Sequence, residues 1–299
     1  MNNFKYFIYV FSITVPLISF AQADSTETYT KMHSDSTKTM EIDRRGLYNF
    51  NFMWANLDNW TQGGKSNLNG TVMLREQFKI KTENTTSSHL MMLNYGLNNQ
   101  DQITSKTIDN IQYVGNFARG GIGDKRWARI STQLELNSQI MPGYENGDTV
   151  KTNMISRIAS PLYAQVSLGA ISNKFKSWSL YCAPIGSKTT IILDSAIRES
   201  GAFGIDSTSS SLFQGGANAT LTFNKIYFGS LRILLRTDFF YNYLNDNPAL
   251  DVRGEFIAYY KLDRWFSVNA NYQFIRDNDA IDAWQLKSVL GLGITLSLK

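Results

Sequence analysis

From Tyr48 to Leu298 the chain alternates apolar and polar residues over unusually long segments, and this constrains its fold more than any other feature. In segment 66–80 the even positions include Leu68, Val72, Leu74, Phe78 and Ile80, while the odd positions include Asn67, Asn69, Thr71, Arg75, Gln77 and Lys79. Segment 127–141 sets Ile130, Leu134 and Leu136 against Arg129, Ser131, Gln133, Glu135 and Asn137. Segments 251–260, 265–276 and 284–298 repeat the alternation. Side chains alternate across a strand, so each segment offers one apolar and one polar face. Globular strands usually run about five or six residues, whereas a tilted strand needs about 9–11 to cross a bilayer. The segments here run 10 to 15 residues. A polar inner face and an apolar outer one make the chain all-β, a transmembrane antiparallel up-and-down β-barrel.

Composition removes the competing classes. Hydrophobic residues make up 43%, charged residues 18% and aromatics 13%, with a mean hydropathy of −0.24. Disordered chains are poor in aromatics and rich in charge, so most of this chain folds. One cysteine, Cys182, excludes a disulfide scaffold. Past the N-terminus no run reaches the roughly 18 apolar residues of a spanning helix. Basic residues form no stripe, so nucleic acid is not an expected partner.

Thirteen candidate segments start near residues 48, 66, 87, 103, 127, 160, 176, 187, 211, 230, 251, 265 and 284. Treating Ala183-Pro184-Ile185-Gly186 as a hairpin puts the later long loops on the wrong side. Reading 176–194 as one strand with a bulge there restores the order, because bulges accept Pro and Gly. Twelve strands follow, with ten or fourteen as alternatives. Short turns then fall near 82–86, 119–126, 174–175, 224–229 and 262–264, on the periplasmic side. Longer loops face outward. Trp127, Tyr241, Tyr243, Tyr259, Trp265 and Trp284 suit interfacial girdles. Glu76 falls on an apolar face, so it must be paired or lie near an interface.

Residues 1–23 read as a secretory signal, with Lys5, an apolar run and Ala21-Gln22-Ala23 before Asp24; cleavage follows Ala23, or alternatively Ala21. Its removal leaves 28 basic against 25 acidic residues. Residues 24–45, polar and aperiodic, read as a disordered periplasmic tail, and 46–299 as the barrel. Exported in this way, the chain is expected in the outer membrane of a Gram-negative cell, in contact with its lipid and with the barrel-insertion machinery.

Several ordered strings carry a resemblance. They are Trp54-Ala-Asn-Leu-Asp-Asn-Trp60-Thr-Gln-Gly63-Gly64, Gln139-Ile-Met-Pro142-Gly143-Tyr144 and Ser160-Pro161-Leu-Tyr-Ala-Gln-Val-Ser-Leu168-Gly169. Ala183-Pro184-Ile-Gly-Ser-Lys-Thr189, Gly201-Ala-Phe-Gly204-Ile-Asp206, Tyr241-Asn242-Tyr243-Leu244 and Leu290-Gly291-Leu-Gly293 follow. In order and spacing the chain resembles a Bacteroidota outer-membrane family catalogued as a domain of unknown function. The resemblance implies an outer-membrane barrel and carries no catalytic residues.

Chemistry is sparse. Two histidines and one cysteine give almost no material for metal sites or Cys–His catalysis. A Ser–His hydrolase would have to use His89, and no G-x-S-x-G is present; the chain is not expected to be an enzyme or to need a cofactor. Asp277, Asp279 and Asp282 gather in one loop without EF-hand spacing and read as a solvated acidic loop. The candidate site is the lumen. Its inward basic residues are Arg75, Lys79, Arg129, Arg232, Arg236, Arg253 and Lys287, and its acids Glu135, Asp238, Asp251 and Glu255. Arg253 is expected to pair along its strand with Asp251 and Glu255. The residual positive charge, near Arg75/Lys79, Arg232/Arg236 and Lys287, points to a small pore with weak preference for anionic solutes. The alternative is a non-conducting structural or accessory barrel working with envelope proteins, and a hydrolase stands behind both.

Overall fold

The computed structural model describes residues 40–298 apart from 56–66, 101–102, 122–126, 146–150, 201, 245–249, 264 and 278–280. The expected signal segment and most of the expected tail therefore lie outside the described residues. Twelve strands form the wall: β1 (Glu41–Ala55), β2 (Asn67–Lys81), β3 (Thr85–Gln100), β4 (Ile103–Arg119) and β5 (Ala128–Ser138) come first. A small hairpin of β6 (Gly143–Tyr144) and β7 (Met154–Ser156) intervenes. Then follow β8 (Leu162–Phe175), β9 (Trp178–Ile191), β10 (Ser211–Tyr227), β11 (Leu231–Asn242), β12 (Leu250–Lys261), β13 (Phe266–Asp277) and β14 (Ile281–Leu298). Each wall strand pairs antiparallel with its neighbours, and β1 pairs with β14 to close the barrel. β1 begins at Glu41, so the last five residues read as tail belong to the wall. Their pairing from Glu41↔Lys81 to Arg45↔Gln77 supplies a ladder that their polar composition concealed.

The wall is polar inside and apolar outside. Gln133 and Glu135 are 5% exposed, and Asn49, Thr71, Asn94, Asn269 and Asn271 are buried. On the opposite face Phe52 is 68% and Leu290 78% exposed, with Met91, Phe117, Ile130 and Leu180 also bare. This inversion of a water-soluble protein is the pattern of a transmembrane barrel. Trp265, Trp284, Tyr241 and Tyr243 are exposed near strand ends. Tyr259 is a correction: it is buried, opposite Arg232 in the register, and faces the lumen.

β9 runs unbroken through the expected bulge. Leu168 pairs with Ile185 and Ala170 with Cys182, so Ala183 and Pro184 together oppose Gly169. A Cβ at Gly169 would come within 2.0 Å of the Cys182 carbonyl, which is why the opposing residue has none. The extra residue also inverts the facing of everything after it. Tyr181 is buried before the bulge, and Lys188 and Thr190 are buried after it.

Outer-wall glycines are roofed by rings. A Cβ at Gly254 would collide with the Phe274 ring, and Tyr48 and Tyr113 lie over Gly46 and Gly115. Tyr48 thereby reaches Glu76, which Arg44 also binds at 3.1 Å. The acid flagged on the apolar face is thus paired from two sides.

The facing of β2 can be measured directly. Arg at Val72 meets lipid and is expected to cost about 2–4 kcal/mol of barrel stability, whereas Arg at Met73 enters the lumen and costs much less. Urea titration of the refolded barrel in vesicles reads both; equal costs would reverse the assignment.

Candidate functional site

Closure brings the inward charges of distant strands together. At mid-height Arg236 of β11 binds Glu135 of β5 at 2.7 Å. It also grips Asp238 through Nε and Nη2, at 2.8 and 2.7 Å. Glu135 Oε1 accepts a 2.6 Å bond from Gln112, and Arg253 stands 3.7 Å from that same oxygen. Thr220 donates to Asp238 at 2.7 Å. The Arg253 guanidinium lies 5.7 Å from the Tyr163 ring centre. Two arginines and two carboxylates thus form a neutral belt. A two-pronged arginine–carboxylate contact is among the stronger and more directional hydrogen-bonded pairs.

Two cavities meet at this level, both lined by Arg236 and Glu255. The one toward the long loops measures about 290 Å³ and includes Asp109, Asp238, Arg253 and Asp277 in its wall. The other, toward the short turns, measures about 580 Å³ and includes Arg75, Lys79 and Arg129.

Above the belt Lys188 and Lys106 are paired with acids. Lys188 binds Asp251 and Asp277, each at 2.8 Å. Lys106 binds Asp109 at 2.9 Å and donates to Gln139 and the Met141 carbonyl. Lys287 reaches from β14 to the carbonyl of Thr107, the unpaired residue of a bulge in β4, at 2.6 Å. Glu255 accepts from Asn271 and Gln273 at 3.0 and 3.1 Å.

Two expectations change here. Arg253 does not pair along its own strand: Asp251 goes to Lys188, Glu255 takes two amides, and Arg253 turns to Glu135. Spacing of two does not forbid such a pair, since Arg236 and Asp238 make one on β11; closure instead brings Lys188 to Asp251 and Glu135 to Arg253. Arg236 also carries no excess charge, since two acids neutralise it. The rest of the expected excess stands among the described residues: Arg75, Lys79, Arg232 and Lys287 have no acid within ion-pair distance, and Arg75 bonds the Met92 sulfur at 3.0 Å. Arg129 donates to Thr86, and Arg232 donates to Asn224. Sequence reasoning missed Lys188 because the bulge reverses strand parity. It missed the role of Asp277 because it read that residue as a solvated loop acid; Asn278, Asp279 and Ala280 lie outside the described residues.

The long-loop mouth carries a cap. Ile192, Ile197 and Ile205 form a small core with Met154, Phe203 and Leu212. Phe203, held at φ 60°, reaches the wall of the upper cavity. Asp194 caps α1 (Ser195–Glu199) by accepting from the Ile197 N–H at 3.1 Å, and it binds Arg157 at 2.9 Å. The Ile197 N–H and the Arg157 guanidinium hold its carboxyl below the ordinary range.

On the outer wall Ser87 Oγ lies 3.0 Å from His89 Nε2, and His89 Nδ1 lies 2.7 Å from the Tyr113 hydroxyl. The flanking backbone belongs to the β2–β3–β4 ladders. Cys182 is exposed on the same apolar wall as Leu180.

A family model described as "Protein of unknown function (DUF3078)" matches residues 52–144. No curated protein matches the chain. Among solved structures, the chain is similar to the COG4313 outer membrane channel from Pseudomonas putida F1. Identity is 9%, coverage is 85% of this chain and 93% of that one, and the TM-score is 0.40. It is also similar to outer membrane phospholipase A from Escherichia coli, at 10% identity, 88% and 94% coverage and a TM-score of 0.37. The translocator domain of the autotransporter NalP from Neisseria meningitidis gives 12%, 88% and 89%, and 0.31. At that level the likeness is one of strand architecture and says nothing of activity.

Two outcomes follow from this geometry. Arg236→Ala strands the buried Glu135 and the half-buried Asp238 and is expected to cost about 3–5 kcal/mol, whereas Glu135→Gln, Arg236→Met and Asp238→Asn combined cost less; urea titration compares them. A carboxylate with a lowered folded pKa stabilises above its unfolded pKa and loses that contribution as pH falls through the folded one. Acidification should therefore loosen the cap, and Asp194→Asn should loosen it already at neutral pH, both read by limited proteolysis of the loop 192–210.

Proposed function

We propose that the chain is an outer-membrane barrel of a Gram-negative envelope whose resting lumen is closed, acting as a structural or accessory component rather than an open pore. The observation that carries this is the Glu135–Arg236–Asp238–Arg253 belt, in which charges from opposite parts of the wall meet across the lumen and neutralise one another. Polar side chains that satisfy one another across an interior replace the water an open channel would hold. The short turns and both ends of the wall face the periplasm in this reading, as is usual for bacterial barrels, and the capped mouth faces outward. Its partners are outer-membrane lipid, the insertion machinery and envelope proteins. No enzymatic step is assigned: the Ser87–His89–Tyr113 chain ties β3 to β4 on the lipid-facing wall, where the neighbouring N–H groups serve the ladder.

One observation favours a second reading, a gated pore with weak anion preference. The inward cations below the belt, Arg75, Lys79 and Arg129, exceed the acids beside them. Planar-bilayer recording of the refolded protein separates the two. The closed reading expects no steady current from the wild type, and anion-selective steps once Glu135→Ala and Arg236→Ala remove the belt. Steady wild-type current would establish the pore instead, and cation-selective current through the double variant would refute the charge argument.

A further inference from the structure

The cavity on the short-turn side has no assigned use in a closed barrel, and its chemistry is one-sided. Its volume of about 580 Å³ lies within the 300–1,000 Å³ of ordinary small-molecule sites. Arg75, Lys79, Lys81, Arg129, Lys176 and Arg236 line it against one carboxylate, Glu255. Three of these charges are already engaged, at least in part. Arg236 belongs to the belt, Lys81 reaches Glu41 at the rim at 3.5 Å, and Glu255 is held by two amides. Arg45, near the same rim, is bound to Asp43 at 2.8 Å. Arg75, Lys79, Arg129 and Lys176 have no acidic partner within ion-pair distance among the described residues.

Arg75 is the most telling of them. It extends from the middle of β2, and the hydrogen bond it makes goes to a thioether sulfur, a weak acceptor. It shares the cavity wall with Arg236 and Glu255. A planar fork of N–H donors with so poor an acceptor, set among like charges, is suited to take an oxyanion through two donors at once. Lys79 lies one inward position nearer the rim than Gln77, opposite Asp43 in the register, whose carboxylate is bound to Arg45 at 2.8 Å. The hydroxyls of Thr86 and Ser88 and the amide of Asn116 share the wall and can serve the remaining oxygens.

From this we infer that the short-turn cavity binds a phosphate-bearing ligand, with Arg75 and Lys79 as its principal contacts and Arg129 flanking them. Several uncompensated cations in one enclosure match a ligand of two or more negative charges better than a monocarboxylate. A free phosphate compound and an anionic lipid headgroup share this chemistry. The inference goes beyond the closed-lumen reading and does not depend on conduction, because the site lies wholly to one side of the belt.

Isothermal titration calorimetry of the refolded full chain in detergent tests it, with sodium pyrophosphate as the probe and acetate as the control anion. Saturable binding of one pyrophosphate per barrel is expected, with no saturation by acetate. Arg75→Gln and Lys79→Gln should each weaken it at least about tenfold, the size of one charge-assisted hydrogen bond. Arg157→Gln, at the opposite mouth, should leave it unchanged. Heat-modifiable mobility confirms that each variant is folded, and Lys79, nearer the rim, provides a reading if Arg75→Gln does not refold. Competition by dihexanoylphosphatidylglycerol assigns the lipid headgroup as the source; its failure to compete assigns a soluble phosphate. Absence of saturable pyrophosphate binding, or binding unmoved by both substitutions, overturns the inference. Wild-type current in the bilayer experiment would overturn the closed reading and leave this site standing.

Discussion

A strand in hydrocarbon has no water to satisfy its backbone, so the ladder must close on itself. Everything else in this molecule depends on the pairing of β1 with β14. It turns twelve long strands into a tube and sends every second side chain inward. The inward set therefore faces a narrow polar interior rather than lipid. The seam is also short: β1 pairs with β14 over six positions, Gly46↔Leu298 to Asn51↔Gly293, while it pairs with β2 over fifteen. The bare glycines Gly291 and Gly293 let Asn51 approach there, since a Cβ at either would crowd its side chain.

Inside the tube, proximity is set by curvature rather than by chain order. Glu135 and Arg236 lie 101 residues apart, and Lys188 and Asp277 lie 89 apart. Such pairs satisfy two needs at once. They neutralise charges that a low-dielectric enclosure would penalise, and they tie strands on different parts of the wall. The belt therefore braces the barrel as well as blocking it, which is why removing a single member is expected to be worse than replacing the group.

Much of this was legible beforehand, for physical reasons. A period of two survives in any strand with unlike faces, so the facing of Val72 against Arg75, or Ile130 against Gln133, follows from the residues alone. Even the bulge at Pro184 could be inferred, because a proline and a glycine inside a long strand demand one. What could not be read was its effect on Lys188, since a parity change moves a residue across the wall without altering any neighbour in sequence. Nor could partner choice be read: Arg253 sits between two acids in sequence and ignores both, because the tube brings Glu135 to it. Tyr259 looked like a girdle residue by type and is a lumen residue by parity. The strand from Glu41 to Arg45 looked like tail because its ladder depends on β2, not on its own composition.

The vertical ordering of charge has a further physical consequence. The acids collect on the long-loop side with Lys106 and Lys188, while most of the unmatched cations lie on the short-turn side. Along its own axis the barrel is thus an electrostatic diode in outline, with a field that differs from one mouth to the other. Once the belt is removed, ions driven one way would meet the positive vestibule first, and ions driven the other way would meet it last. Its conductance should therefore rectify, passing unequal currents at equal and opposite voltages.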